Sequence, residues 1–286
     1  MLLIVSFAWG LSFPMIKIGL EYSPPFTFVF IRFFITLIIF TIIFYKKIVK
    51  FKFVDVKYGI YLGIFLFIGF ITQTTGLKYT TASNSAFITG TNIVLLPFAQ
   101  ILILKTKPKF ENILGIAIVT IGLYFLTNIK GTETNIGDLI TIFCAISFAF
   151  YIVYLDKFSV RSDTNALIYG QFIATTFLSL LSVLFFENYF FGDIKFVLSN
   201  TLIGSLIYNA IFNTFIGLLL STRYQKFTTP VRAGLIYNME QFFAVITAYF
   251  ILNELMTGTQ LFGAGIMIIG VIVSEFYYLI FRKKHK

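Results

Sequence analysis

The chain has 286 residues, of which 58% are hydrophobic and only 12% are charged, and its formal net charge is +10. A soluble protein of this length needs a far more charged surface, so this composition excludes a soluble globular protein. The single cysteine, Cys144, excludes an internal disulfide and a cysteine-based metal cluster. The single histidine, His285, lies in a basic tail, so we expect no histidine-ligated metal within the apolar segments and no cofactor.

Ten apolar runs fill most of the chain. Each has about the 20 residues that a helix needs to cross a hydrocarbon core about 30 Å thick. The chain is therefore predicted to be an all-α polytopic membrane protein with ten transmembrane helices. The predicted helices, in chain order, are 1–20, 25–45, 58–76, 81–104, 110–127, 137–155, 166–186, 199–221, 229–252 and 259–281.

The positive charges are distributed unevenly between the two sides of the predicted membrane. Seventeen of the 22 lysine and arginine residues lie on the side of the N-terminus, and three lie on the other side. This asymmetry predicts that both termini are cytoplasmic and that the protein lies in the cytoplasmic membrane. The same charges attract anionic lipid head groups, so the bilayer is a predicted partner and no nucleic acid is needed to explain them. We expect a monomer or a weak dimer.

The chain contains an internal repeat. Residues 80–126 align without a gap with residues 228–274, so that Gly115 and Gly122 match Gly263 and Gly270. The predicted division is a first five-helix repeat at 1–127, a linker at 128–136 and a second repeat at 137–286 that includes a basic cytoplasmic tail. Five helices are an odd number, so the second unit enters the membrane from the opposite side. Inverted repeats are typical of secondary transporters, whose substrate site lies near the midplane between the halves.

The first two predicted helices each carry one conspicuous polar or aromatic side chain. Trp9 lies in the middle of the first helix rather than at a membrane interface, so it either lines a cavity or packs between helices. Arg32 lies about a third of the way into the second helix. It either pairs with an anionic substrate or a carbonyl group, or has a structural role and extends towards the interface; we favour the structural role.

Three later helices carry stripes of polar side chains at helical spacing. Such residues either contact a ligand or hold helices together through hydrogen bonds, and for any one of them both roles are open. The members chosen as substrate-binding candidates are Ser85, Thr89 and Asn92 in the fourth helix, Tyr151 in the sixth, and Asn209 and Asn213 in the eighth.

The ninth helix carries the clearest candidate, Glu240, which lies near its middle. A charge at this depth costs about 2.5–3.5 kcal/mol on insertion scales, so it is kept only with a partner or a role. Tyr237, Glu240 and Gln241 share one helical face, which must contact protein or water rather than lipid. The functional interpretation is a site for a substrate amine or a coupling proton. The alternative is a structural carboxyl group hydrogen-bonded to a neighbouring helix.

Several motifs in order along the chain resemble the drug/metabolite transporter superfamily, and specifically its EamA-type branch. The first helix reads SFAWGLSFP, the second carries IRFF around Arg32, and LKYTTASNSAF stands at 77–87. In the second repeat, TTPVRAGLIYNMEQ stands at 228–241, LNE at 252–254 and GAGIMIIG at 263–270.

This resemblance implies ten helices, a central cavity beside the repeat interface, and transport of small metabolites such as amino acids or related amphipathic compounds, frequently outward. Two positions depart from the family pattern. Thr106 stands at the position that matches Glu254, and Gln241 stands where a proline is common. The second departure predicts that the ninth helix is straighter than in relatives.

The sequence therefore predicts a secondary transporter that works by alternating access, with a substrate among helices one, three, four, six, eight and nine. The chain has no phosphate-binding GxxxxGK[ST] motif and no soluble domain to bind a nucleotide. A channel is disfavoured because the helices carry no ring of like charges. An intramembrane enzyme is disfavoured because the spans have no histidine and no paired aspartates. A lipid flippase or scramblase stays open as the alternative, since it too uses a polar groove.

Overall fold

The computed structural model describes residues 1–127, 135–192, 195–252 and 257–281 of the chain. The predicted linker at 128–136 therefore lies outside the described residues except at its last two positions, as do Glu254 and the basic residues of the tail at 282–286. The division into two repeats at that linker stays a prediction.

Helices form all of the regular structure in the described part of the chain, and ten spans follow one another as predicted. Eight are long and apolar enough to cross a membrane, and the other two contain shorter apolar helices, Phe110–Leu126 and Gly258–Ser274. The spans are α1 Leu2–Gly19, α2 Pro25–Ile48, α3 Phe53–Tyr79, α4 Ala82–Leu104, α5 Phe110–Thr127, α6 Ile136–Ser159, α7 Thr164–Phe191, α8 Asn200–Gln225, α9 Pro230–Leu252 and α10 Gly258–Phe281.

Helices α4 and α9 begin in the same way, as the repeat predicts. Thr81 is the N-cap of α4, and its hydroxyl accepts a hydrogen bond from the backbone N–H of Asn84 at 3.0 Å. Thr229, its repeat mate, is the N-cap of α9 and accepts from the backbone N–H of Arg232 at 3.4 Å. A threonine at this position satisfies an N–H group that has no partner within the helix.

Both helices are also interrupted near their middle. In α4 the helical segments Ala82–Gly90 and Asn92–Leu104 meet at Thr91, where ψ is −11°. In α9 the segments Pro230–Tyr237 and Met239–Leu252 meet at Asn238, where ψ is −13°. The ninth helix is therefore interrupted although Gln241 stands where a proline is common, and whether it is straighter than in relatives stays a prediction. The amide of Asn238 donates to the carbonyl of Gly234 at 3.2 Å, a local bond that competes with regular helix geometry without any proline.

Glycines bring the helix backbones into contact at three interfaces. Gly59 of α3 faces Gly170 of α7, and Gly76 of α3 faces Gly137 of α6. Helices α5 and α10 cross so that Gly115 lies against Gly270 and Gly122 against Gly263. In the internal repeat, Gly115 corresponds to Gly263 and Gly122 corresponds to Gly270. The contact between Gly115 and Gly270 is therefore equivalent to the contact between Gly263 and Gly122, as expected for two helices related by a two-fold axis. Close approach of small residues is the common way to pack helices in lipid.

Two helices contain wider π-helical turns, which sequence periodicity does not predict. In α7 the turn Val183–Glu187 carries the span on to Phe191, five residues past its predicted end. Glu187 accepts hydrogen bonds from the backbone N–H of Thr27 at 2.9 Å and from the Thr27 hydroxyl, so it caps the start of α2 from a distant helix. In α8 the π segment is longer, Asn209–Ile216, and it lies at the centre of the protein.

Candidate functional site

A small cavity, about 40 Å³ in volume, lies at the centre of the described helices. Its wall comes from α1, α3, α4, α6, α8 and α9, the six helices named from the sequence. The lining is apolar and aromatic with a small number of amide, hydroxyl and carboxyl groups, which is typical of a small-molecule site. The lining residues are Trp9, Ser12, Phe13, Leu66, Phe70, Gln73, Asn92, Phe148, Tyr151, Ile152, Asn213, Leu218, Tyr237, Asn238, Glu240 and Gln241.

Glu240 is the charged residue on the wall of this cavity. It follows directly after the interruption of α9, and only 8% of its surface is exposed. The amide of Gln241 donates to Glu240 Oε1 at 3.1 Å. Within the described part of the chain, no basic side chain lies at ion-pairing distance from this carboxyl group. Its charge is therefore left without a counter-charge from the described residues, which is the state expected of a group that binds a cation or a proton.

Trp9 connects the wall of α8 to the wall of α9. Its indole N–H donates to the backbone carbonyl of Asn213 at 3.1 Å, and its ring lies 5.1 Å from the ring of Tyr237. The indole has room because residue 217 is a glycine, at which an added Cβ would lie 2.5 Å from Trp9 Nε1. The sequence left open whether Trp9 lines a cavity or packs, and it does both.

The π segment of α8 determines which side chains of this helix reach the cavity. The N–H of Gly217 bonds to the carbonyl of Phe212, five residues back, and the Thr214 hydroxyl bonds to the carbonyl of Asn209 at 2.8 Å. In an α-helix, residues four apart share a face, but a π turn is wider and breaks that relation. Asn213 consequently lines the cavity, whereas Asn209 is fully buried and its amide donates to the carbonyl of Ser205 at 2.9 Å.

Several further polar residues of the wall form hydrogen bonds between helices. Asn238 of α9 donates to Asn92 Oδ1 of α4 at 3.1 Å, which joins the two interrupted helices where they face the cavity. The hydroxyl of Tyr151 donates to Gln171 Oε1 at 2.9 Å, and that of Tyr237 donates to Gln225 Oε1 at 3.3 Å. These bonds fix the side chains that an occupant of the cavity would touch.

Most of the predicted binding residues lie on this wall, although their role in binding stays a prediction. Ser85 and Thr89 do not lie on it: both are fully buried, and the Thr89 hydroxyl faces Gln73 and Cys144 instead. The predicted residues on the wall are Trp9, Asn92, Tyr151, Asn213, Tyr237, Glu240 and Gln241, and those off it are Ser85, Thr89 and Asn209.

Sequence reasoning did not select nine of the sixteen wall residues, among them Phe70 and Gln73 of α3, Phe148 of α6 and Asn238 of α9. The phenylalanines could not have been singled out, because the chain has 38 of them and most of a membrane protein's phenylalanines face lipid or other helices. Gln73 and Asn238 did carry a signal, since each is a polar amide well inside an apolar run. No three His, Cys, Asp or Glu side chains in the described ranges come close enough together to hold a metal ion.

Known proteins resemble this chain over nearly its full length. The model of the EamA-like transporter family matches residues 1–128 and 135–276. A protein of Archaeoglobus fulgidus named "Uncharacterized transporter" is 34% identical over 95% of this chain and 83% of its own length. A "Probable amino-acid metabolite efflux pump" of Salmonella typhimurium is 25% identical over 98% of this chain and 95% of its own. A solved crystal structure superimposes with a TM-score of 0.75 over 99% of this chain and 98% of that one; at 16% identity, it shows the fold alone.

Proposed function

The chain belongs to the EamA-like transporter family of integral membrane proteins, and from this premise we propose that it is a secondary exporter of small amphipathic metabolites such as amino acids. The observation that carries the proposal is the central cavity of six helices, with the Glu240 carboxyl group on an otherwise apolar and amide-lined wall. Such a wall suits a solute that has both a charged group and an apolar body. The name of the Salmonella relative supports the outward direction.

Transport would proceed by alternating access. Helices α4 and α9, which are repeat mates, are both interrupted beside the cavity and are joined there by the bond between Asn92 and Asn238. Discontinuous helices that meet at the midplane are typical of transporters whose two halves rock around a fixed site. The wall comes from a single chain, so a monomer suffices for this cycle.

Proton coupling through Glu240 is part of the proposal. A carboxyl group that faces the cavity without a basic partner can alternate between binding a proton and binding a substrate amine. The other titratable groups of this region are Tyr151 and Tyr237, which lie on the cavity wall, and Cys144 and Arg32, which lie behind the wall. None of these is a carboxylate, so we assign the exchanged proton to Glu240.

The first test compares metabolites inside and outside cells that express the wild type or Glu240→Ala at matched membrane levels. We expect a few small solutes to accumulate outside only with the wild type. Equal movement with both proteins would leave transport in place but make Glu240 structural. If no soluble metabolite moves and lipid distribution between the leaflets changes instead, the flippase alternative replaces this proposal.

The orientation of the chain in the membrane can be tested by cysteine labelling. The single cysteine, Cys144, is fully buried, so the wild type should not react with a membrane-impermeant maleimide. The charge asymmetry places Lys50 in the cytoplasm and Lys195 outside, and both side chains are exposed. In intact cells we expect Lys195→Cys to be labelled and Lys50→Cys to be labelled only after permeabilisation. The reverse pattern would place both termini outside.

A further inference from the structure

A buried arginine stands directly behind the cavity wall. Arg32 of α2 is fully buried, with its guanidinium group 4.4 Å from the centre of the Phe70 ring. Its Nε donates to the Thr214 hydroxyl at 2.5 Å, and its Nη2 donates to Asn213 Oδ1 at 2.5 Å. Its Nη1 is buried and has no hydrogen-bond partner. In the described part of the chain no acidic side chain pairs with it, so its charge is balanced only by neutral acceptors and an aromatic ring.

The contacts of Arg32 fix the orientation of the Asn213 side chain. Arginine has only donors, so the atom of Asn213 that faces it must be the amide oxygen. The amide NH₂ is therefore turned the other way. It makes no hydrogen bond with a described residue and is not sealed inside the protein, and Asn213 lies on the cavity wall. Arg32 thus directs a donor, polarised by a full positive charge behind it, into the cavity.

Arg32 also holds the segment that carries Asn213. The Thr214 hydroxyl accepts from Arg32 and so must use its own hydrogen to donate to the carbonyl of Asn209, a carbonyl within the π segment. The chain of donors from α2 to this carbonyl therefore stabilises the widened turns of α8. Without Arg32, the Thr214 hydroxyl and the Asn213 amide oxygen would each lose the donor that fixes their orientation.

The cavity consequently has two ends of opposite polarity. The donor end is on α8, at Asn213, and the acceptor end is on α9, at Glu240. Trp9 contacts both helices, through the Asn213 carbonyl and the Tyr237 ring, one turn before Glu240. The two charges do not pair with each other. A ligand that carries an anion and a cation a few bonds apart would provide a counter-charge at each end, with charge-assisted hydrogen bonds.

We propose that Arg32 is a positioning residue that makes the cavity selective for zwitterions: it holds the Asn213 amide so that this donor binds the carboxylate of the substrate, while Glu240 binds its ammonium group. This inference rests on the proposed transport function and deepens it. An amine without a carboxylate, or a carboxylate without an amine, would leave the polar group at one end of the site unpaired. A buried polar group left unpaired weakens binding strongly.

The single tryptophan of the chain gives a direct binding assay, because Trp9 lies on the cavity wall. Its fluorescence in the purified protein is titrated with two sets of three compounds that share an apolar body. One set is phenylalanine, phenethylamine and 3-phenylpropionate; the other is leucine, isopentylamine and 4-methylpentanoate. For the wild type we expect the amino acid of a set to bind at least about tenfold more tightly than its amine or its acid.

The decisive variant is Asn213→Asp. The new side chain still offers an oxygen to Arg32, so the π segment keeps its partner, but the donor that faces the cavity is lost. We expect the preference to reverse, with the amine binding more tightly than the amino acid. Arg32→Lys, which keeps the charge without the forked donors, should reduce the preference for the amino acid. Asn200→Asp, the same change at an exposed position at the start of α8, should leave all six affinities unchanged.

Glu240→Gln provides the reciprocal measurement, which does not depend on the stability of α8. It should weaken binding of the amino acid and the amine while leaving binding of the acid unchanged. The inference is overturned if neither amino acid binds the wild type, or if Asn213→Asp and Glu240→Gln leave the order of affinities unchanged. Those results would not contradict the export of other solutes. The proposed transport function is tested separately, by the comparison of metabolites inside and outside cells.

Discussion

Glu240→Gln is expected to reduce transport about ten- to a hundredfold without lowering the amount of protein in the membrane. Hydrogen bonds to a charged group contribute about 1.5–3 kcal/mol, and each 1.4 kcal/mol corresponds to about a factor of ten in binding. Glutamine keeps the shape of the side chain and can still accept from Gln241, so packing of α9 is preserved. The measurement is the initial rate of transport in proteoliposomes at several pH values, with the solutes identified from the metabolite comparison.

The pH profile separates a proton-coupling role from simple charge recognition. If Glu240 carries the exchanged proton, the residual transport by Glu240→Gln should no longer depend on the pH gradient. Glu21→Gln is the matched control, because Glu21 is exposed in the turn after α1 and does not touch the cavity. Unchanged transport and unchanged pH dependence in Glu240→Gln would show that its carboxyl group is structural.

A large effect on stability is expected from Gly59→Ala, where α3 meets α7. A Cβ at residue 59 would lie 2.2 Å from the carbonyl oxygen of Leu167 and 2.9 Å from the Cα of Gly170. Both atoms belong to the backbone, so the helices themselves must move apart. Overpacking of this kind costs about 1–3 kcal/mol and occasionally more. We expect a loss of about 3 kcal/mol, seen as a lower melting temperature of the detergent-solubilised protein and a lower yield of monodisperse material.

Gly204→Ala is the control for that experiment, since nothing lies within 4 Å of a Cβ at this position of α8. Alanine is favoured over glycine in a helix interior by about 1 kcal/mol, so this variant should melt at the same temperature as the wild type or higher. The opposite signs of the two changes distinguish a packing clash from any general effect of adding a methyl group. Equal melting temperatures for both variants would contradict the close approach of α3 and α7.

The ten spans and their order were predictable because each depends on a local property, the length of an apolar run. Turn chemistry was also readable where it is local, as at the threonine N-caps of α4 and α9. The expectation of a straighter ninth helix considered only proline, and it did not foresee the interruption at Asn238. The interruption at Asn238 comes from an amide that bonds to the preceding turn and to Asn92 of another helix, and the second of these bonds is invisible in the sequence.

The candidate site was predictable to the extent that helical periodicity holds. In α9, Tyr237, Glu240 and Gln241 all lie on the cavity wall, as their predicted shared face requires. Tyr237 belongs to the segment before the interruption, and the other two belong to the segment after it. In α8 the pairing of Asn209 with Asn213 fails because a π segment runs through both residues. In α4 the stripe of Ser85, Thr89 and Asn92 is divided at Thr91. The failure in α8 follows from a local departure from 3.6 residues per turn, whereas in α4 the Thr89 hydroxyl faces Gln73 and Cys144 instead of the cavity.

By itself, the sequence determined the class of protein, the ten helices and the presence of a carboxyl group at the centre of α9, because hydrophobic length and the cost of a buried charge do not depend on which helices are neighbours. Only the tertiary structure decided what each polar group faces. Arg32 and Asn213 are 181 residues apart, yet the first determines which end of the second is presented to the cavity. A hydrogen bond between helices has a direction, and that direction is set by the partner's chemistry and position rather than by the spacing of residues along either helix.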